Sequence, residues 1–145
     1  MKKLALILVL AIAACNNEPK NPEIFQRDGA AIGGYDPVAF FISQKPVKGV
    51  DSLETQWKDA RWKFSTKENL DSFLKAPEKY APQYGGYCAY GTAGGYKAPT
   101  EADAWTIVND KLYFNYNNEV KETWSKDIPG FVSKADDNWK RIRHN

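Results

Sequence analysis

The sequence predicts an α+β fold, a small antiparallel sheet of hairpins with about three helices packed against it, in a single domain. Three observations predict it. Two stretches, Trp57 to Phe64 and Trp105 to Tyr116, place polar and apolar residues around short turns, as half-buried hairpin strands do. Three others repeat apolar residues every three or four positions, the period of a helix with one buried face. Five Trp, eight Tyr and seven Phe in 145 residues supply the apolar area of one core, since each aromatic buries about 150–250 Å².

The elements follow in order. Gly33-Gly34-Tyr35-Asp36-Pro37 is a turn-rich opening, and Pro37 suits the first turn of a short helix carrying Val38, Ala39, Phe40 and Phe41. Asp36 before it is expected to cap that helix rather than to act in catalysis. Lys45 to Gly49 forms the next bend. Trp57 and Arg61-Trp62-Lys63-Phe64 make a hairpin with Lys58-Asp59-Ala60 as its turn. Ser65-Thr66-Lys67-Glu68 has the pattern of a capping box, Ser65 accepting the amide of Glu68. A helix from about Thr66 to Lys75 follows, with Leu70, Phe73 and Leu74 on one face, and Pro77 ends or bends it. Trp105 to Tyr116 is a second hairpin about Asn109-Asp110, residues that tolerate positive φ. Asn117 or Asn118 caps a helix with Val120, Trp124 and Ile128 in register. Pro129-Gly130 breaks it, and a last helix carries Val132, Ala135, Trp139 and Ile142.

The N-terminus has a different composition. Lys2 and Lys3 precede an apolar run from Leu4 to Ala14, far shorter than the roughly 20 residues that cross a bilayer. A charged start, a short apolar run and small residues at its end read as an export signal that is removed. Ile12-Ala13-Ala14-Cys15 also resembles the lipobox of bacterial lipoproteins, which implies a diacylglycerol anchor on Cys15. The expected organisation is a signal peptide over 1–14, a flexible tether over 15–24 and one domain over 25–143. The product is expected to be exported and lipid-anchored to a bacterial cell membrane, inner or outer, with its domain outside the cytoplasm.

Processing neutralises the chain. The 20 Lys plus Arg lose two lysines with the leader, leaving 18 against 18 Asp plus Glu. No net positive field remains to attract phosphates, so nucleic acid is not an expected partner. With Cys15 lipidated, Cys88 has no disulfide partner, and the fold holds by packing.

The chemistry-bearing segment is the glycine- and tyrosine-rich stretch 84–99. Glycines let backbone approach a ligand, and interleaved tyrosines offer flat faces and hydroxyls. Three readings of Cys88 stand side by side: a small buried hydrophobe, part of a ligand pocket, or a reactive thiol. The ligand-binding set is Tyr35, Tyr84, Tyr87, Cys88, Tyr90, Lys97 and Trp105. A Cys or Ser nucleophile needs a nearby base, and the one imidazole, His144, is the penultimate residue. No phosphate-cradling loop, zinc spacing or dinucleotide fingerprint occurs. No catalytic residue, metal ligand or cofactor is expected, and an enzyme is the last reading.

Gly34 to Phe41, Trp62 to Ser65, Pro77 to Gly91, Lys111 to Asn117, Trp124, Asp127 to Gly130 and Ala135 to Trp139 cover nearly the whole domain in order. Together these segments resemble the YHS-domain lipoproteins and exported YHS proteins of bacteria. The resemblance implies a link to heavy-metal or copper handling. In metal-linked members a cysteine follows the strand-ending Phe, with a second four residues later. Alignment on Phe64 and Phe73 puts Ser65 and Asn69 there, so the thiolates that soft metals need are missing. The leading expectation is a lipid-anchored, non-catalytic binding module for a small molecule. The alternatives are a heavy-metal handling protein, with Cys88 as a ligand, and a structural or protein-interaction module.

Overall fold

Three hairpins are set by three pairs of left-handed residues. Asp28 and Gly29 (φ 54° and 73°), Lys58 and Asp59 (50° and 57°), and Asn109 and Asp110 (51° and 59°) each occupy a two-residue loop. Two successive positive φ values match the twist of the flanking strands. The computed structural model describes residues 22–145; the signal peptide 1–14, Cys15 and the tether up to residue 21 lie outside the described residues.

Strands β1 (Gln26–Arg27) and β2 (Ala30–Ala31) pair around the first loop. β3 (Val50–Trp57) and β4 (Ala60–Phe64) pair around the second, with a bulge between Val50 and Glu54. β5 (Trp105–Val108) and β6 (Lys111–Phe114) pair around the third. The class is α+β. The hairpins remain three separate two-stranded ribbons instead of joining one sheet, because they meet through side chains in the core rather than edge to edge.

Among the described residues the helices are α1 (Pro37–Ile42), α2 (Lys67–Lys75), α3 (Pro77–Tyr80), α4 (Ala89–Ala93), α5 (Asn118–Ser125) and α6 (Ile128–Ile142). These exceed the three expected from periodicity because α1, α3 and α4 are too short to show a repeat. None is long and apolar enough to cross a membrane.

Two apolar clusters share strand β6. Leu112 and Phe114 face a core with Phe40, Trp62, Phe64 and Phe73, while Tyr113 faces one with Tyr84, Trp124 and Ala135. The two-residue period of a strand sends alternate side chains to opposite faces, so β6 is the wall between the clusters.

Four local expectations need correction. Ser65 is not a helix cap: Thr66 is, accepting the amide of Asn69 at 3.1 Å. The Ser65 side chain is instead drawn to Asp36, which a capping pattern does not report. Pro129-Gly130 does not break a helix but lies in the first turn of α6, where a missing N–H is harmless; Asp127 caps that turn through Gly130 N (3.1 Å), and Ile128 belongs to α6. In the first hairpin pair read from sequence, Ala60 opens β4 and only Lys58-Asp59 turn. Residues 22–24 are not tether: Ile24 is buried in the core and Glu23 pairs with Lys58 at 3.0 Å. The expectations for Asp36 and Asn117 as caps agree with the structure.

Candidate functional site

The tyrosine-glycine segment folds inward. Tyr84, Gly85 and Gly86 are all left-handed (φ 55°, 62° and 88°), which coils the chain into a tight turn ahead of α4. At Gly85 a Cβ would overlap the Glu23 carbonyl oxygen, so only glycine fits. The turn drives Tyr84 and Tyr87 onto α6. Tyr84 is 4% exposed, its ring 5.9 Å from Tyr113 and 6.1 Å from Trp139. Its hydroxyl donates to Asp136 at 2.9 Å. Tyr87 packs on Phe25 and Trp139 and donates to the Pro22 carbonyl at 2.8 Å. Burial first, and then the Asp136 carboxylate, pushes the Tyr84 hydroxyl well above the tyrosine range. Burial also raises Tyr87. Tyr90 packs on Phe131 of α6, ring centres 5.2 Å apart.

Cys88 is the N-cap of α4 and is 2% exposed. Its sulfur accepts the amides of Gly91 (3.4 Å) and Tyr116 (3.3 Å) and donates to Asn115 Oδ1 at 3.5 Å. Burial pushes the thiol up, against the pull of those amides. A buried neutral thiol spent on capping is a poor nucleophile. Asn115 is fully buried; its Oδ1 also accepts the Tyr90 amide, and its Nδ2 has no partner among the described residues. His144 is exposed and sits 4.0 Å from Glu23, whereas Cys88 is buried. Among the described residues no three His, Cys, Asp or Glu gather into a metal cluster.

Lys97 ties the ends of the domain together. Its ammonium donates to the carbonyls of Pro22 (3.3 Å), Arg143 (2.9 Å) and Asn145 (3.4 Å) and lies over the Tyr87 and Trp139 rings. Burial lowers its pKa, with Glu23 opposing. Trp105 lies elsewhere, against Phe40 and beside an open groove with Phe41 and Ile107. The seven expected ligand-binding residues therefore do not share one cavity. Tyr84 borders a groove of about 530 Å³ with Trp57 and Trp139, Trp105 one of about 590 Å³, and Tyr35 a third, smaller cleft.

That third cleft, about 160 Å³, is the most closely built. Phe25, Ile32, Ala102 and Phe114 give it apolar surface, and Arg27, Asp28, Tyr35, Lys48 and Thr100 add polar groups. Two cations stand over aromatic faces: Lys48 Nζ is 4.3 Å from the Tyr35 ring centre, and Arg27 Cζ is 5.3 Å from that of Phe25. Lys48 also donates to the Gly33 carbonyl at 2.7 Å. The wall includes two left-handed residues, Ile32 and Gly33 (φ 45° and 68°), and the next residue, Gly34, is left-handed as well (79°). A β-branched residue held there costs about 1–3 kcal/mol, a strain that concentrates at ligand clamps.

Of this cleft, sequence reasoning found only Tyr35. Asp28-Gly29 is a strong two-residue hairpin signal, and it would have placed Arg27 on a strand near the Gly33-Gly34 turn. Lys48, Thr100 and Phe114 carried no local signal.

The described residues define a small α+β protein with an aromatic double core and a compact, cation-rimmed pocket. Compared with known protein families, curated proteins and solved structures, the chain has no match.

Proposed function

We propose that this chain is a YHS-like lipoprotein, anchored outside the cytoplasm through Cys15, whose domain is a non-catalytic binding module for a small molecule. The observation that carries the binding reading is the cleft beside Tyr35, where strained backbone, apolar surface and two ring-stacked cations converge. Small-molecule sites combine apolar lining with a few fixed polar groups in this way. The ligand surface thus sits at the Tyr35 end of the expected set, while Tyr84, Tyr87, Cys88 and Lys97 hold the scaffold.

The non-catalytic reading is supported by the buried, amide-bonded Cys88 and its distance in role from His144. The heavy-metal alternative gains nothing from Ser65 and Asn69. Both side chains donate to one oxygen, Asp36 Oδ2, at 2.7 and 2.8 Å, so these positions serve the fold.

Two measurements test the proposal. Expressed in a bacterial host, the full chain is expected in the membrane fraction and Cys15→Ser in the soluble exported fraction; equal partition of the two removes the anchor. A ligand-observed NMR fragment screen is expected to return hits that Tyr35→Ala abolishes. Hits indifferent to that change, or none, remove the binding site.

A further inference from the structure

We infer that the cleft beside Tyr35 takes a short aliphatic monocarboxylate, its chain on Phe25, Ile32 and Phe114 and its carboxylate between Arg27 and Lys48. The inference rests on the reading of this cleft as the ligand site and names the class of molecule it holds.

Size sets the first limit. A volume of about 160 Å³ matches roughly five waters at ~30 Å³ each, or a molecule the size of benzene. That admits about six non-hydrogen atoms and excludes nucleotides, sugars and peptide segments.

Charge sets the second. Arg27 and Lys48 outnumber the one acid of the lining, Asp28. The ring faces that attract cations are already covered, Phe25 by Arg27 and Tyr35 by Lys48. An ammonium ligand would meet like charge, and the cation–π positions over Phe25 and Tyr35 are already taken. An anion meets donors instead. Among the described residues the Arg27 guanidinium and the Tyr35 hydroxyl have no hydrogen-bond partner. Lys48 spends one of its three N–H groups on Gly33. A guanidinium fork fits the two oxygens of a carboxylate.

The apolar lining sets the third. Phe114 and Ile32 are 2% and 6% exposed, so what reaches them is desolvated, and an inorganic anion would lose its hydration without compensation. An alkyl chain behind the carboxylate replaces that water favourably.

The backbone supports a fixed site. Ile32 is held left-handed by bonds at both ends of the turn: its amide donates to the Phe25 carbonyl at 2.9 Å, and Gly34 accepts the Gly49 amide at 2.9 Å. These bonds link the Phe25 side of the cleft to the Lys48 side, so the two cations are presented on one braced frame.

The test uses the ¹⁵N-labelled full chain in detergent, titrated with butanoate, butan-1-ol and butan-1-amine to on the order of 10 mM. Butanoate is expected to shift the amides of Gly33, Tyr35, Lys48 and Thr100 saturably, and the alcohol and amine to bind at least ten-fold more weakly. Lys48→Gln and Arg27→Gln, both at exposed positions, are each expected to weaken butanoate about ten-fold without altering the remaining spectrum. Equal binding of alcohol and butanoate overturns the carboxylate assignment and leaves the cleft as a small-molecule site. No localised shift with any of the three overturns both. Butanoate binding that neither variant weakens overturns the roles given to the two cations and with them the proposal.

Discussion

Asp36 shows how much one buried side chain does here. It is fully buried, and its two oxygens accept from Val38 N (2.9 Å), Ala39 N (3.2 Å), Ser65 N (2.8 Å), Ser65 Oγ (2.7 Å) and Asn69 Nδ2 (2.8 Å). One carboxylate therefore caps α1 and welds it to the end of β4 and the start of α2. Asp36→Ala leaves several buried donors unpaired, and the expected loss is about 3–5 kcal/mol of stability, read from the urea midpoint. A loss below about 1 kcal/mol would mean that water replaces the carboxylate. The cap half of this role is written locally, as Asp before Pro. The weld half is not, because Ser65 and Asn69 lie 29 and 33 residues away. Cys88 makes the complementary case. Its burial predicts alkylation by iodoacetamide roughly a hundred-fold or more slower than an unfolded control, since labelling waits on local opening; mass mapping of the Cys88 peptide reads it. Labelling at the free-thiol rate would contradict the burial.

At the scale of elements, the turn before α4 and helix α6 form one unit. Gly85 is left-handed and pressed against the Glu23 carbonyl, so Gly85→Ala is expected to cost about 2 kcal/mol or more, while Gly29→Ala, at an open hairpin tip, costs less. Thermal unfolding of the pair compares them, and equal losses would refute the packing argument. The Tyr84 to Asp136 bond joins the same turn to α6. Tyr84→Phe is expected to lose about 1 kcal/mol, and a double-mutant cycle with Asp136→Asn should recover most of that as coupling. Additive losses would show that the two act separately. Periodicity revealed α2, α5 and α6 because each is long enough to repeat. It hid α3 and α4, four and five residues long, where a proline or a capping sulfur, not a face, defines the helix.

At the scale of the whole molecule, stability should decline in alkali. Burial holds the Tyr84, Tyr87 and Tyr113 hydroxyls above the ordinary value near 10. The folded state then keeps protons that the unfolded chain has lost. The stabilisation is complete below about pH 10 and falls as pH rises through the folded values, by up to about 1.4 kcal/mol per pH unit for each tyrosine. Urea unfolding from about pH 8 to 11 should show the decline, with a shallower slope in Tyr84→Phe. That comparison also separates Tyr84 from Lys97, whose partly buried ammonium acts in the opposite sense because desolvation lowers its pKa. An unchanged slope in the variant would remove Tyr84 from the account.

The sequence by itself determined the α+β class, two of the three hairpins, the caps at Asp36 and Asn117, and most of the buried faces of the longer helices, Leu74 of α2 being exposed instead. These are local: each follows from φ preference, a side chain reaching its own backbone, or a period within one segment. Only the tertiary structure decided that the tyrosine-glycine segment turns inward, that Lys97 joins Pro22 to the last residues of the chain, and that Arg27, Tyr35, Lys48 and Phe114 border one cleft. Those facts depend on which aromatic rings pack together across the chain. Packing selects partners by shape and burial, neither of which leaves a fixed spacing in the sequence.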